Sequence, residues 1–163
     1  MVFRRSRLLR WALALSLCAL GNPAFAQAPA SIRDDPLFGT WVLDKERSRY
    51  FEGDPLREQI RIFEPHENGV KAKVVTIDQE GTATVTEYVA AYDGVEYPFS
   101  GAEVADAVIL TRESPYVGVT TFRHAGIAIG DARREITQDG KQMSVTIRIR
   151  GDLTRIAVFR KVN

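Results

Sequence analysis

The chain has almost no cysteine. Cys18 is the only one in 163 residues, and it lies in a leading segment that is expected to be removed. What remains then has no disulfide, no thiol nucleophile and no thiolate metal ligand, so its core alone must hold it together. Histidine is nearly as scarce, His66 and His124 being the only two. A zinc site needs three or four ligands at organised spacing, and none is visible. No apolar run reaches the roughly 20 residues that a membrane-crossing helix requires, so no membrane span is expected in the mature protein. Excess positive charge is also missing. Four arginines (Arg4, Arg5, Arg7, Arg10) and no acid occupy the first 26 residues. Their removal takes Lys+Arg from 22 to 18 against 21 Asp+Glu, and the formal charge from +1 to −3. A mildly acidic chain has little affinity for a phosphate backbone, so nucleic acid is not an expected partner. At 45% hydrophobic and 26% charged the composition is that of a folded chain, without repeats or low-complexity stretches, and the length suits one domain.

The first 26 residues read as an address. Arg4 to Arg10 form a basic start, Trp11 to Leu20 an apolar run of ten, and Gly21-Asn22-Pro23 breaks it before Ala24-Phe25-Ala26. That is the layout of a cleaved secretory signal. A periplasmic or secreted location after cleavage near Ala26 is therefore expected. A twin-arginine variant is disfavoured by Arg7, which stands where that signal has an apolar residue. A lipoprotein reading of Cys18 is disfavoured by Leu17 before it. Residues 27–36 (QAPASIRDDP) read as a flexible lead-in, and 37–163 as the folded domain.

From there, turn signals recur every 8–14 residues, among them Glu52-Gly53-Asp54-Pro55, Glu80-Gly81, Asp93-Gly94, Ser100-Gly101, Ala125-Gly126 and Gln138-Asp139-Gly140. Gly, Asn and Asp tolerate the positive φ that tight hairpins demand. The runs between them are rich in Val, Ile, Thr, Tyr and Phe. In 141–150, Met143, Val145, Ile147 and Ile149 alternate with Ser144, Thr146, Arg148 and Arg150. In 56–64, Leu56, Ile60 and Ile62 oppose Arg57, Gln59 and Arg61. Period two marks half-buried antiparallel strands. In 82–92 the faces are mixed: Thr84, Thr86, Tyr88, Ala90 and Tyr92 lie opposite Ala83, Val85, Glu87, Val89 and Ala91. Ten strands are expected, near 39–44, 56–64, 70–79, 82–92, 95–99, 106–112, 116–124, 127–137, 141–150 and 152–161. Residues 44–51 are the best candidate for a turn of helix or an irregular loop. Short hairpin links imply sequential neighbours, and such a meander loses its open edges by closing. The fold class expected is all-β: a single up-and-down antiparallel barrel.

The first strand opens Phe38-Gly39-Thr40-Trp41-Val42-Leu43-Asp44, and the last runs Thr154-Arg155-Ile156-Ala157-Val158-Phe159-Arg160-Lys161. A Gly-x-Trp start and an arginine-bearing closing strand resemble the calycin superfamily of lipocalins and fatty-acid-binding proteins. More closely, the chain resembles bacterial secreted lipocalin-like proteins of unassigned function, through 40–50, 63–71 and 92–101. The resemblance implies a barrel of about eight to ten strands. It also implies that Gly39 and Trp41 help close one end, with Trp41 packed against Arg160 or Arg155 by guanidinium stacking. Fatty-acid-binding relatives place a ligand-binding arginine in a closing strand with a tyrosine two residues on. Here Ala157 stands at that place.

A barrel of this size either encloses a small cavity or fills with side chains. Arg155 shares a face with Ala157 and Phe159, so it is the best anchor for a ligand carboxylate; if the register is otherwise, it points to solvent. Tyr88, Tyr92, Tyr116, Phe122 and Phe159 are candidate pocket walls, with ordinary cross-strand packing as their other role. His66 and His124 read as solvated. No Gly-x-Ser-x-Gly, His-Glu-x-x-His or phosphate loop occurs, so neither an enzyme nor a bound cofactor is expected. The leading expectation is a carrier for a small apolar or amphipathic ligand. The alternative is a filled barrel, an interaction or structural module of the cell envelope that acts through its rims and loops. An apolar-lined cavity of roughly 300 Å³ or more marks the first, an exposed apolar patch the second, and convergent carboxylates a catalytic barrel.

Overall fold

The computed structural model describes residues 35–67 and 69–162. The expected signal segment with Cys18, and residues 27–34 of the expected lead-in, lie outside the described residues. Ten strands run through the rest: Gly39–Tyr50 (β1), Glu58–His66 (β2), Gly69–Ile77 (β3), Ala83–Ala91 (β4), Glu96–Ser100 (β5), Ala107–Ser114 (β6), Val117–His124 (β7), Ile127–Ile136 (β8), Gln142–Ile149 (β9) and Asp152–Lys161 (β10). Each pairs antiparallel with its chain neighbour, and β1 also pairs with β10, so the meander closes into a barrel. Among the described residues no helix is long and apolar enough to cross a membrane.

The expectation of a helical turn or loop after Asp44 is overturned. β1 continues to Tyr50 through a bulge: Asp44 faces Val158 on β10, yet Arg49 faces Ile156. Five residues on β1 thus span two on β10. Ser48 makes the detour workable. Its Oγ accepts the Val158 N–H at 2.9 Å and donates to the Asp44 carbonyl at 2.7 Å, so a side chain replaces ladder bonds that the extra residues interrupt.

The second correction concerns β2. The sequence pattern sets Ile60 and Ile62 against Gln59 and Arg61, with the isoleucines as the apolar face. In the barrel the parity is that of Phe63: Gln59 and Phe63 are buried, and Arg61 faces inward with them. A slip of one residue exchanges the two faces of a strand, and the large Phe63 ring outweighs two aliphatic side chains. On β9 the apolar set Met143, Val145 and Ile147 is buried as expected.

One end of the barrel is packed solid. Leu37, Trp41, Val70, Val108, Leu110, Met143 and Phe159 are wholly buried there. The segment Asp35–Phe38 plugs this end. Trp41 donates its indole N–H to the Leu37 carbonyl at 2.8 Å, and Lys161 reaches the Pro36 carbonyl at 3.0 Å. Asp35 accepts the Leu37 N–H at 2.9 Å and pairs with Arg112 at 2.5 Å. Asp35 and Pro36, expected to belong to the lead-in, are therefore part of the packed end. Asp35→Ala is expected to lower stability by about 1.5–3 kcal/mol, the range for a hydrogen bond to a charged group. Arg112 would keep two carbonyl acceptors, Ser114 and Pro115, which limits the loss. A denaturant melt showing no change would mean that the plug does not hold the barrel end.

The cation over the Trp41 ring is Lys161, 5.2 Å from the centroid. Lys161 is the register partner of Trp41, whereas Arg160 faces Val42 and lies exposed. Period two along β10 sends residues 155, 157, 159 and 161 inward and 160 outward. The expected Trp41 contact with Arg160 or Arg155 is thus replaced by one with the neighbouring lysine.

The weakest seam is β4–β5, joined only at Glu87–Ser100 and Tyr88–Phe99. Gly101 follows it with φ +79°, and an added Cβ would lie 1.9 Å from the Val85 carbonyl oxygen. Only glycine fits this turn against β4.

Candidate functional site

The other half of the barrel is hollow. A cavity of about 230 Å³ lies inside it, walled by Phe63, Val74, Phe99, Phe122, Ala132, Val145 and Ile147 and by the hydroxyls of Thr76, Thr86 and Thr120. Val104 and Ala105 of the β5–β6 loop, with Ile129 and Ile149, form its outer edge. Val104 is 72% exposed, so the cavity reaches the surface at the end opposite the plug. It is smaller than the roughly 300 Å³ at which ordinary ligand pockets begin. The barrel is thus neither filled nor fully hollow.

Three arginines line this cavity, Arg61 from β2, Arg134 from β8 and Arg155 from β10, and no acidic residue does. None of the three forms a carboxylate ion pair among the described residues. Each instead lies against an aromatic ring: Arg61 is 4.8 Å from the Phe159 centroid, Arg134 5.8 Å from Phe63, and Arg155 5.6 Å from Tyr50. Arg61 donates to the Gln59 amide oxygen at 3.1 Å, and Arg134 to the Tyr92 hydroxyl at 3.1 Å. The Nε groups of Arg134 and Arg155 are buried with no acceptor. Ring stacking offsets only part of what a guanidinium loses on leaving water.

The electrostatics follow from that crowding. Burial, then Arg155 and Arg134, push the Arg61 pKa down to about 10, against the opposing influence of Tyr88 and Tyr50. Burial likewise lowers the Arg155 pKa. Burial raises the Tyr88 phenol above its ordinary range although Arg134 and Arg61 oppose it, so Tyr88 is neutral at pH 7. A guanidinium keeps its proton at that pH, so three of them around one cavity concentrate positive charge there.

The surroundings keep Arg134 in place. Tyr92, which accepts from it, is itself stacked under Arg112, 4.8 Å from the ring centroid. A chain of contacts therefore runs from the Asp35 plug through Arg112 and Tyr92 to the cavity. Gly118 on β7 makes room: an added Cβ would lie 2.5 Å from a terminal guanidinium nitrogen of Arg134.

Of the residues expected to bind ligand, Arg155, Tyr88 and Phe122 line the cavity. Tyr88 meets Phe99 edge-on at 6.1 Å, and Phe99 meets Phe122 at 5.9 Å. Tyr92 and Phe159 stand behind the arginines rather than in the wall. Tyr116 is packed at the plugged end near Pro115, away from the cavity. The sequence reading missed Arg61 and Arg134. For Arg134 the signal was present, since Ala132, Arg134 and Ile136 alternate and all three are buried. His66 and His124 are exposed, and no metal-holding cluster of His, Cys, Asp or Glu occurs among the described residues.

A closed ten-strand antiparallel meander with an internal cavity is a calycin-type, lipocalin-like barrel. Solved structures agree. The chain is similar to a point mutant of the fluorescent protein UnaG (TM-score 0.56, 15% identity, 78% of this chain and 97% of that one). It is similar to a Schistosoma mansoni fatty acid binding protein in complex with arachidonic acid (TM-score 0.55, 14% identity, the same coverage). At such identities the likeness concerns the fold. No family model and no curated protein matches the chain.

Proposed function

We propose that this protein binds a small amphipathic anion inside the barrel, acidic head inward and apolar part towards the mouth. The observation that carries this reading is the convergence of Arg61, Arg134 and Arg155 on one cavity that no carboxylate lines. Buried charges are paired in a stable resting state, and an anionic ligand is the missing partner. A guanidinium fork suits a carboxylate or a phosphate. The aromatic walls suit a hydrocarbon. That one structural neighbour is described as a fatty acid binding protein is consistent with a binding role for this kind of barrel. Carriage or sequestration outside the cytoplasm, after loss of the first 26 residues, is part of the same proposal, as is the absence of catalysis. No carboxylate pair faces the cavity that could do acid–base work.

The test is calorimetric titration with octanoate and with octanol. Octanoate is expected to bind at least about tenfold more tightly, the scale of one charge-assisted hydrogen bond. Arg61→Met with Arg134→Met should remove that preference. Equal affinity for acid and alcohol would overturn the proposal.

The filled-module reading also has an observation in its favour. Phe51, Val104, Ile127 and Leu153 are exposed large apolar residues in or beside the loops at the open end. Val104 also lines the cavity, and exposed apolar side chains at this end suit a ligand tail or a docking partner. Failure of every small anion to bind would favour the partner.

The pH dependence follows from Arg61. Its charge is lost near pH 10, and an anion favours the charged form. Affinity for a permanently charged anion such as octyl sulfate should therefore be level up to about pH 9 and fall through 10. Ionisation of Tyr88 acts in the same direction. An affinity that holds to pH 11 would show that Arg61 does not contact the head group.

A further inference from the structure

We propose, resting on the anion-binding reading above, that the natural head group carries two negative charges, as in a phosphate monoester or a paired dicarboxylate, rather than the single charge of a simple fatty acid.

The argument is one of charge and placement. Three guanidiniums from three separate strands line one cavity of about 230 Å³. Arg112, the next arginine towards the plug, is already matched by Asp35, and Lys161 is tied to the Pro36 carbonyl. They add nothing to the deficit. Arg61 feels both Arg155 and Arg134 as repulsive neighbours, so the three act as one cluster. A single negative charge would leave two of them without a counter-charge. Two negative charges leave one. Arg155, next to the Tyr50 ring on the last strand, is only partly buried, and water can screen it. Arg134 is 6% exposed and its Nε has no acceptor, so it needs an anionic oxygen most.

Oxygen count points the same way. The buried Nε donors of Arg134 and Arg155 lack acceptors, and Arg61 lines the same cavity. Gln59, Thr76, Thr86 and Thr120 supply further neutral polar groups around it. A monocarboxylate offers two oxygens; a phosphate monoester offers three terminal oxygens, and a dicarboxylate four. Nothing in the lining repels a second charge, because no acid is there.

The experiment uses the mature chain and four amphiphiles with the same tail: octyl phosphate, octylmalonate, octyl sulfate and octanol. Octyl sulfate is the control that decides, being tetrahedral like the phosphate but singly charged. At pH 8 at least one dianion should bind about tenfold or more tightly than octyl sulfate. If octyl phosphate is that dianion, its advantage should vanish at pH 5, where it too is a monoanion, since its second pKa is near 6. Guanidiniums stay charged and Tyr88 stays neutral across that range, so the change belongs to the ligand. If octylmalonate is that dianion, the head group is a dicarboxylate. Arg61→Met, which removes one of the two cations the dianion pairs with, should shrink the dianion advantage. Arg133→Met, an outward residue bound to Glu113 and Glu135, should not.

If both dianions bind within about twofold of octyl sulfate, and all three exceed octanol, the dianion inference is overturned and the anion reading stands. If none exceeds octanol, both are overturned.

Discussion

Arg134→Met is expected to stabilise the ligand-free protein while weakening anion binding by ten- to hundredfold. The two effects have opposite signs and one cause. Arg134 is 6% exposed, forms no ion pair with a carboxylate, and leaves its Nε without a protein acceptor. Its other contacts are the Tyr92 hydroxyl and the Phe63 ring. A buried donor left unsatisfied costs about 1–3 kcal/mol, and more when charged. Methionine keeps most of the stem's packing and removes the charge. A gain of about 1–3 kcal/mol in unfolding free energy is therefore the expected result, and Arg61, relieved of one repulsive neighbour, adds to it. With anion present the order reverses. The wild type regains stability through ligand linkage, whereas the variant loses a charge-assisted bond worth about 1.5–3 kcal/mol. Denaturant melts with and without octanoate measure both. A variant less stable than wild type in the absence of ligand would mean that Arg134 is a structural member of the wall. It would then not be a charge held ready for a partner.

The same residue shows where sequence reading stops. Strand positions were legible because turn residues punctuate them, and the closing of the barrel followed from short hairpin links. Met143, Val145 and Ile147 revealed their face because every other residue on β9 is polar. β2 did not reveal its face, since Ile60 and Ile62 form a convincing stripe on the wrong side. Only Phe63 fixes the parity, and it sits at the edge of the pattern. Once that parity is inverted, Arg61 moves from solvent to cavity. Arg134 was hidden differently. It follows Arg133, which pairs with Glu113 and Glu135 outside the barrel, so Arg133-Arg134 reads as a solvated pair although adjacent strand residues must point opposite ways. Arg155 was legible through Ala157 and Phe159. The β1 bulge was not, because the bond from Val158 N–H to Ser48 Oγ that sustains it joins residues 110 apart in sequence.

The misses at Arg61 and Arg134 have a common physical origin. Hydropathy assigns arginine to water, and that assumption fails where a site has to hold charge away from water. The three residues that break the pattern are the three that define the cavity. The packed end follows the rule closely, with apolar side chains inward and a plug held by an ion pair. One barrel therefore has two halves with different demands. The plugged half supplies the stability that the hollow half, with its unpaired cations, lacks.

Trp41→Ala tests that division directly. Trp41 is wholly buried among Leu37, Leu43, Met143 and Phe159, the largest side chain of the packed end. Its removal leaves a void that the rigid strand pair β1–β10 cannot collapse into, and also leaves the Leu37 carbonyl without its donor and Lys161 without its ring. Large-to-small changes of this kind cost about 3–5 kcal/mol, a large share of the roughly 5–15 kcal/mol that domains possess. Trp41→Phe keeps most of the volume and loses the hydrogen bond, so about 1–2 kcal/mol is expected from it. Once the first 26 residues are removed, Trp41 is the only tryptophan, since the other is Trp11; the melts must therefore be followed by circular dichroism. A loss below about 1 kcal/mol for Trp41→Ala would mean that the plugged end does not carry the fold. The stability that offsets three guanidiniums around one cavity would then have to lie in the cavity itself, with its ligand bound.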